Sequence, residues 1–176
     1  MEPLAELATL VTIPMTPIGT TGDWESVEQR LGIRLPDDYK QFVRLFGACT
    51  FGELIPIHVS SPFSRLNSLD AHIEGIGNGY RLMRKFGPLP FPVYPEPGGL
   101  LGWGNTDNGD YLNWLTIGDA ENWPIVVWLN GDFERYEMGI VKFLTEVVSQ
   151  RLKLFTSDMF PPPVKCIPSS DRPATV

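Results

Sequence analysis

Two Asn-Gly dipeptides constrain this chain more than any other feature. Asn108-Gly109 lies between Gly99–Trp103 and Asp110–Ile117, and Asn130-Gly131 lies between Pro124–Leu129 and Phe133–Met138. Both residue types tolerate positive φ, which a two-residue type I′ turn needs twice, so each dipeptide predicts a tight antiparallel hairpin. Four strands in a meander follow. Ile125-Val126-Val127-Trp128 is apolar at consecutive positions and predicts a strand covered on both faces. The first turn is dense in chemistry: Trp103, Asn105, Asp107, Asn108, Asp110, Tyr111, Asn113 and Trp114 fall within thirteen residues that hold no Lys or Arg.

Helical periodicity brackets this sheet. Leu4, Leu7, Ala8 and Val11 predict a short N-terminal helix before Pro14 and Pro17. Asp23 offers an N-cap to a helix whose Trp24, Val27 and Leu31 share a face, and Gly32 stands at its C′ position. Pro36, Asp37 and Asp38 open the best-written helix, with Tyr39, Phe42, Val43 and Phe46 on one stripe and Gly47 at its end. Ile55, Ile57 and Val59 alternate as a strand that Pro56 would push to an edge. From Asn67 to Met83 the period is helical, although Gly75, Gly77 and Gly79 each weaken it by about 1 kcal/mol relative to Ala. A Pro-rich connector, Pro88–Pro97, leads into the sheet, and Ile140, Phe143, Leu144, Val147, Val148 and Leu152 build a closing helix over it. The fold class is therefore α+β, with a curved antiparallel meander of about four to six strands flanked by helices. Residues 1–155 form one domain with an N-terminal helical extension, and 156–176 form a Pro-rich tail expected to be partly disordered.

Composition narrows the function. The 176 residues carry a net charge of −7, and 43% are apolar. No stretch approaches the roughly 20 apolar residues of a membrane span, and Met1-Glu2-Pro3 lacks the basic and apolar regions of a secretory signal, so a cytoplasmic protein is expected. Cys49 and Cys166 fit no metal spacing, and in that compartment no disulfide is expected between them. Between Asn105 and Glu137 stand seven acids, Asp107, Asp110, Asp119, Glu121, Asp132, Glu134 and Glu137, against the single base Arg135. That excess excludes nucleic acid as the ligand, because phosphate demands a basic surface; it suits a basic protein. Acidic surface also serves plain solubility.

Catalytic and metal readings find little to stand on. If Gly109 were the sixth position of a calcium loop, Gly104 and Leu115 would be its first and twelfth, and neither supplies a side-chain oxygen. No Gly-x-Ser-x-Gly elbow is present, and neither His58 nor His72 has sequence neighbours that suggest a triad. Gly75-Ile76-Gly77-Asn78-Gly79 lacks the strand and the Lys-Ser/Thr of a phosphate loop. No catalytic, cofactor-binding or metal-ligating residue is therefore assigned. Trp123, beside Glu121 and Asn122 in a polar turn, is the candidate anchor for a protein partner, with Asp119, Glu121, Asp132 and Glu134 as its charged surround.

Leu35-Pro36-Asp37-Asp38-Tyr39, then Trp103-Gly104-Asn105-Thr106-Asp107-Asn108-Gly109-Asp110 with Trp114, then Trp123–Trp128 and the helix after Gly139, occur in an order that resembles the SUKH superfamily, from about Trp24 to Leu152. The resemblance implies a curved sheet flanked by helices and a role in binding proteins, not an enzyme. Most bacterial members are regarded as immunity proteins that neutralise polymorphic toxins, often nucleases, so the implied partner is a cognate, basic protein toxin. A non-toxin adaptor like the fungal cell-wall-synthesis regulators, or a hydrolase using the acidic residues, are the competing readings. Oligomeric state is not legible.

Because no calcium spacing survives inspection, EDTA is expected to leave the melting temperature unchanged and calcium not to raise it. Reproducible stabilisation by a divalent ion at low concentration would overturn this, since a ligand selective for the folded state must stabilise it.

Overall fold

Strands β4 (Leu100–Thr106) and β5 (Tyr111–Leu115) are the runs flanking Asn108-Gly109, and they pair antiparallel. The computed structural model describes residues 2–53, 56–155 and 159–169. The first turn differs from expectation. Asn108 does not take a positive φ; only Gly109 does, at +85°. The Gly109 N–H donates to the Thr106 carbonyl at 3.0 Å, and the Thr106 N–H donates to the Asp110 carbonyl at 3.1 Å. The loop is thus the three residues Asp107-Asn108-Gly109, a type I turn ending on a left-handed glycine. The Thr106 hydroxyl, which donates to the Asp110 carboxylate, selects this longer loop. Asn130-Gly131 behaves as expected: φ is +52° and +94°, and Leu129 faces Asp132 across the turn. This turn joins β6 (Ile125–Leu129) to β7 (Asp132–Tyr136).

Beyond β4 the sheet continues through β3 (Ile57–Val59), β2 (Cys49–Phe51), β8 (Val164–Pro168) and β1 (Val11–Thr12), giving the order β1-β8-β2-β3-β4-β5-β6-β7. Eight strands replace the expected four to six, and the sheet is mixed because β1 runs parallel to β8. The strand after Pro56 is not an edge: β3 is paired on both sides, and Pro56 precedes it, so no ladder bond is lost. Ile55 lies outside the described residues, as do 156–158 and 170–176. Within the stretch read as a tail, β8 inserts between β1 and β2, with Met159, Phe160, Val164 and Cys166 buried. Cys49 and Cys166, on neighbouring strands, are both free thiols. Burial, with the Cys166 thiol beside it, pushes the Cys49 thiol up.

Helices α1 (Pro3–Leu10), α3 (Asp37–Phe46) and α5 (Ile140–Val148) pack together over one face of the sheet. Their core with the sheet contains Tyr39, Phe42, Phe46, Trp103, Trp114, Val127, Phe143 and Leu144. Helix α2 (Trp24–Leu31) is capped by the Asp23 carboxylate, which accepts from the Glu25 N–H at 3.0 Å, and it closes on Gly32. Helix α4 (Leu69–Met83) covers the other face as one unbroken element despite its three glycines. Close approach explains it: a Cβ at Gly79 would stand 2.8 Å from the Tyr111 hydroxyl, and one at Gly102 of β4 would stand 2.6 Å from Ile76. Gly79, with Gly102 on the strand, lets the helix lie against the sheet, whereas a Cβ at Gly75 would meet open space and one at Gly77 only the Arg81 side chain. In β6, Ile125 and Val127 face the α3/α5 core while Val126 faces α4, the two-sided burial that its unbroken apolar run predicts. Among the described residues no helix is long and apolar enough to cross a membrane.

Phe42 is fully buried, stacked on Phe46 at 5.0 Å and 5.9 Å from Phe51. Phe42→Ala is expected to cost about 3 to 5 kcal/mol in urea unfolding. An unchanged unfolding midpoint would refute this placement.

Candidate partner-binding site

A 3-10 turn, Ala120–Asn122, joins β5 to β6 at one end of the sheet, and the surface around it gathers the acids. The turn forms because the Asp119 carboxylate caps it, accepting from the Glu121 N–H at 3.0 Å. On one side lies a cleft of about 530 Å³ between the Ile33-Arg34 loop, the connector residues Tyr94–Gly98 and the loop from Thr116 to Ala120. On the other side are two depressions of about 390 and 270 Å³ that share Glu121 and Gly139 and are bordered by Glu2, Asp37, Asp38, Glu137 and Lys142. Around the turn stand seven carboxylates, Glu2, Asp37, Asp38, Glu96, Asp119, Glu121 and Glu137, with Arg34 and Lys142 among them and Lys40, Arg84 and Arg135 paired to Asp37, Glu96 and Glu137 at 3.4, 2.5 and 2.5 Å.

These carboxylates are held, not merely displayed. Both oxygens of Glu121 accept from the Asp37 N–H, at 3.1 and 3.2 Å, so Glu121 fills a vacant donor of the first turn of α3 from 84 residues away. Arg34 bridges Asp37 at 2.9 Å and Glu121 at 3.1 Å, and the Asp37 hydrogen bond raises its guanidinium further. Asp38 caps a helix that is not its own. Gly139 precedes α5 and has no side chain to cap it, and the Val141 N–H donates instead to Asp38 at 3.3 Å. A Cβ at position 139 would stand 2.4 Å from that carboxylate. Burial pushes the Asp38 carboxyl up, and the Val141 N–H opposes the shift. Arg84 holds Glu96 down to about 2. Among the described residues no ion pair reaches Asp119.

Of the residues singled out from sequence, Asp119 and Glu121 stand here, and Trp123 forms part of the cleft wall. Trp123 is only 5% exposed, with its ring 6.4 Å from Trp114, so most of its area belongs to the core. Asp132 and Glu134 lie apart. Both are exposed on β7, the outer strand; Asp132 sits at the Asn130-Gly131 end, and Glu134 accepts from the Tyr136 hydroxyl. The hairpin residues serve the scaffold. Trp103 and Trp114 are fully buried, Pro36 stands at the N-cap position just ahead of α3 without a side-chain cap, and the fully buried Tyr39 packs against the sheet. Asp110 is tied to Thr106, Asn105 meets His72 Nε2 at 2.9 Å, and Asp107 meets His58 Nε2 at 2.7 Å. The turn therefore draws both histidines to it, and burial lowers the His72 imidazole. Among the described residues no group of three or more His, Cys, Asp or Glu could hold a metal ion.

Sequence reasoning missed Asp38 and Arg34. The Asp37-Asp38 pair at a helix start was visible, but nothing local says that Asp38 serves a second helix a hundred residues on. A family model described as SMI1-KNR4 cell-wall matches residues 21–144. No curated protein and no solved structure matches the chain.

The raised Asp38 carboxyl has a pH signature. An unfolded Asp titrates near 3.8; below that value both states are protonated and burial carries no penalty. As pH rises through the higher folded value, ionisation is resisted and the parent loses stability, whereas Asp38→Asn keeps an acceptor for the Val141 N–H and loses none. The difference in favour of the variant is expected to open above about pH 4 and then stay level. Urea titrations between pH 3 and 7 check this, and a pH-independent difference would contradict it.

Proposed function

Because this chain belongs to the SUKH superfamily, we propose that it is a non-enzymatic protein-binding module acting as a cytoplasmic immunity protein, which neutralises a cognate toxin by covering its active surface. The observation that carries this reading is the gathering of seven carboxylates against five cations at one end of the sheet, on elements whose positions are fixed by hydrogen bonds. Such a surface suits a partner that is itself strongly basic, and a nuclease has to be basic where it grips phosphate. Opposed fields then speed encounter by about tenfold to a thousandfold, while affinity rests on the contacts made after docking. Asp119, Glu121 and Trp123 form the centre of the proposed surface. Asp132 and Glu134, which stand apart on β7, are outlying acids in the same proposal.

The test is co-expression, and titration, with the toxic domain encoded beside this gene. Asp119→Asn with Glu137→Lys is the informative change, since neither carboxylate caps α3 or α5 and asparagine keeps the cap of the Ala120–Asn122 turn, whereas Glu121 has to be spared because reversing it strips the α3 cap. The folded double variant is expected to associate at least about tenfold more slowly at low salt, a difference that shrinks as salt screens exposed charge. Reversal of Asp132 and Glu134 is expected to act more weakly. Unchanged association, salt dependence and protection in the Asp119/Glu137 variant would move the interface elsewhere. A chain that protects against no such domain yet captures a cellular protein would be an adaptor.

A further inference from the structure

We propose that the cleft between Tyr94–Gly98 and Asp119 is a subsite for one arginine side chain of the partner, an assignment that rests on the protein-binding reading above and names what this cleft takes. The cleft's volume, about 530 Å³, falls within the roughly 300 to 1,000 Å³ of small-ligand pockets. It therefore has room for a long side chain with its adjoining backbone. Its chemistry is asymmetric. Pro95 and Pro97 have no N–H to offer, and the Trp123 indole N–H already faces the Gly118 carbonyl at 3.4 Å. The wall thus presents rings and acceptors, and few free donors.

Charge selects the sign of the occupant. Arg34 is the cleft's own cation, and it is already matched by Asp37 and Glu121. Glu96 is likewise matched by Arg84 at 2.5 Å. Asp119 remains: it is exposed, it lines the cleft, and no ion pair reaches it among the described residues. An anion entering here would meet the Asp119 carboxylate, which Arg34 relieves only at a distance and the Glu121 N–H bonds on one oxygen, and a neutral apolar group would cover its other oxygen with nothing to bond it. A cation with several donors relieves it. Arginine fits better than lysine because its planar guanidinium stacks on rings such as Tyr94 while donating in a fork to a carboxylate, and its apolar stem covers the proline wall.

The experiment uses the full chain and N-acetyl-arginine amide as probe, followed by backbone amide NMR shifts and tryptophan fluorescence. Saturable shifts confined to Gly98, Gly118, Asp119 and Trp123 are expected. N-acetyl-citrulline amide, which keeps the shape and loses the charge, is expected to bind about tenfold more weakly, as is the arginine probe on Asp119→Asn, each change removing one charge-assisted hydrogen bond. Asparagine is as good an N-cap as aspartate, so that variant keeps the turn. N-acetyl-lysine amide is expected to fall below arginine. Equal binding of citrulline and arginine, an unaffected Asp119→Asn variant, lysine binding as tightly as arginine, or shifts spread over Glu2, Asp38 and Glu137 would each overturn the subsite. Because the probe needs no toxin, a protecting chain that ignores it loses only the subsite, and a chain that binds it without protecting loses only the immunity reading.

Discussion

The Tyr39 hydroxyl donates to the Ser60 carbonyl across 2.8 Å, while its ring meets Trp114 at 4.9 Å and Trp24 at 6.0 Å, so one side chain fixes α3 to the sheet by area and by direction. Full burial raises its phenol, which stays neutral and keeps donating. The start of α3 is thereby set at the β5–β6 end, where Asp37 receives the Glu121 carboxylate and Asp38 receives the start of α5. If α3 slid or turned by one residue, both contacts would be lost together. The acidic end is therefore a consequence of where the helix docks, not an independent surface feature.

That docking tolerates polar groups left without protein partners. The indole N–H groups of Trp103 and Trp114 are buried with no acceptor among the described residues. Each such group costs about 1 to 3 kcal/mol. Each ring covers roughly 150 to 250 Å², which at about 25 cal/mol per Å² contributes some 4 to 6 kcal/mol. Area wins at both positions, and the rings carry further edge contacts to Tyr39 and Phe143. On the opposite face the Asn113 Oδ1 is likewise buried with no partner among the described residues, while its amide NH2 is bonded. Asn113, fully buried in β5, donates to the Tyr80 hydroxyl at 2.8 Å and to the Val126 carbonyl at 3.0 Å, which ties α4 to the sheet.

What was legible in the sequence is what short-range physics determines. The Asp23 cap, the Gly32 and Gly47 stops, the Asn130-Gly131 turn and the α3 stripe each depend on residues within about a turn of one another, and each stands where the pattern puts it. The missed pieces are set by distant partners. Strands of two, three and five residues, such as β1, β2 and β8, are too short or too irregular to show a period, and β8 follows three prolines; pairing alone makes them strands. Asn108-Gly109 misled about its turn type because a hydroxyl-carboxylate bond outside the dipeptide decides the loop length. At the candidate site, the acids were visible as composition but their grouping was not. Asp132 and Glu134 belong to the same acidic stretch as Asp119 and Glu121, yet β7 carries Asp132 to the far hairpin, while Glu2, Asp37 and Asp38 arrive from the other end of the chain.

Concentrating seven carboxylates would ordinarily repel, and the fold answers with helix ends. Asp37 and Asp38 occupy the first turn of α3, Asp38 also faces the first N–H groups of α5, and Glu121 closes on the same end of α3. Each helix N-terminus offers about half a positive charge. With Arg34, Lys142, Lys40, Arg84 and Arg135, these two ends offset about six of the seven charges and leave about one unmatched. The offset is also local. Asp37, Asp38 and Glu121 are pinned on the α3 side, whereas Asp119 spends its carboxylate on a short turn and has no ion pair. The part of the field that remains for a partner is therefore strongest beside the Tyr94–Gly98 cleft, where the walls are aromatic and proline rings that exclude water and let one more ion pair form at low dielectric.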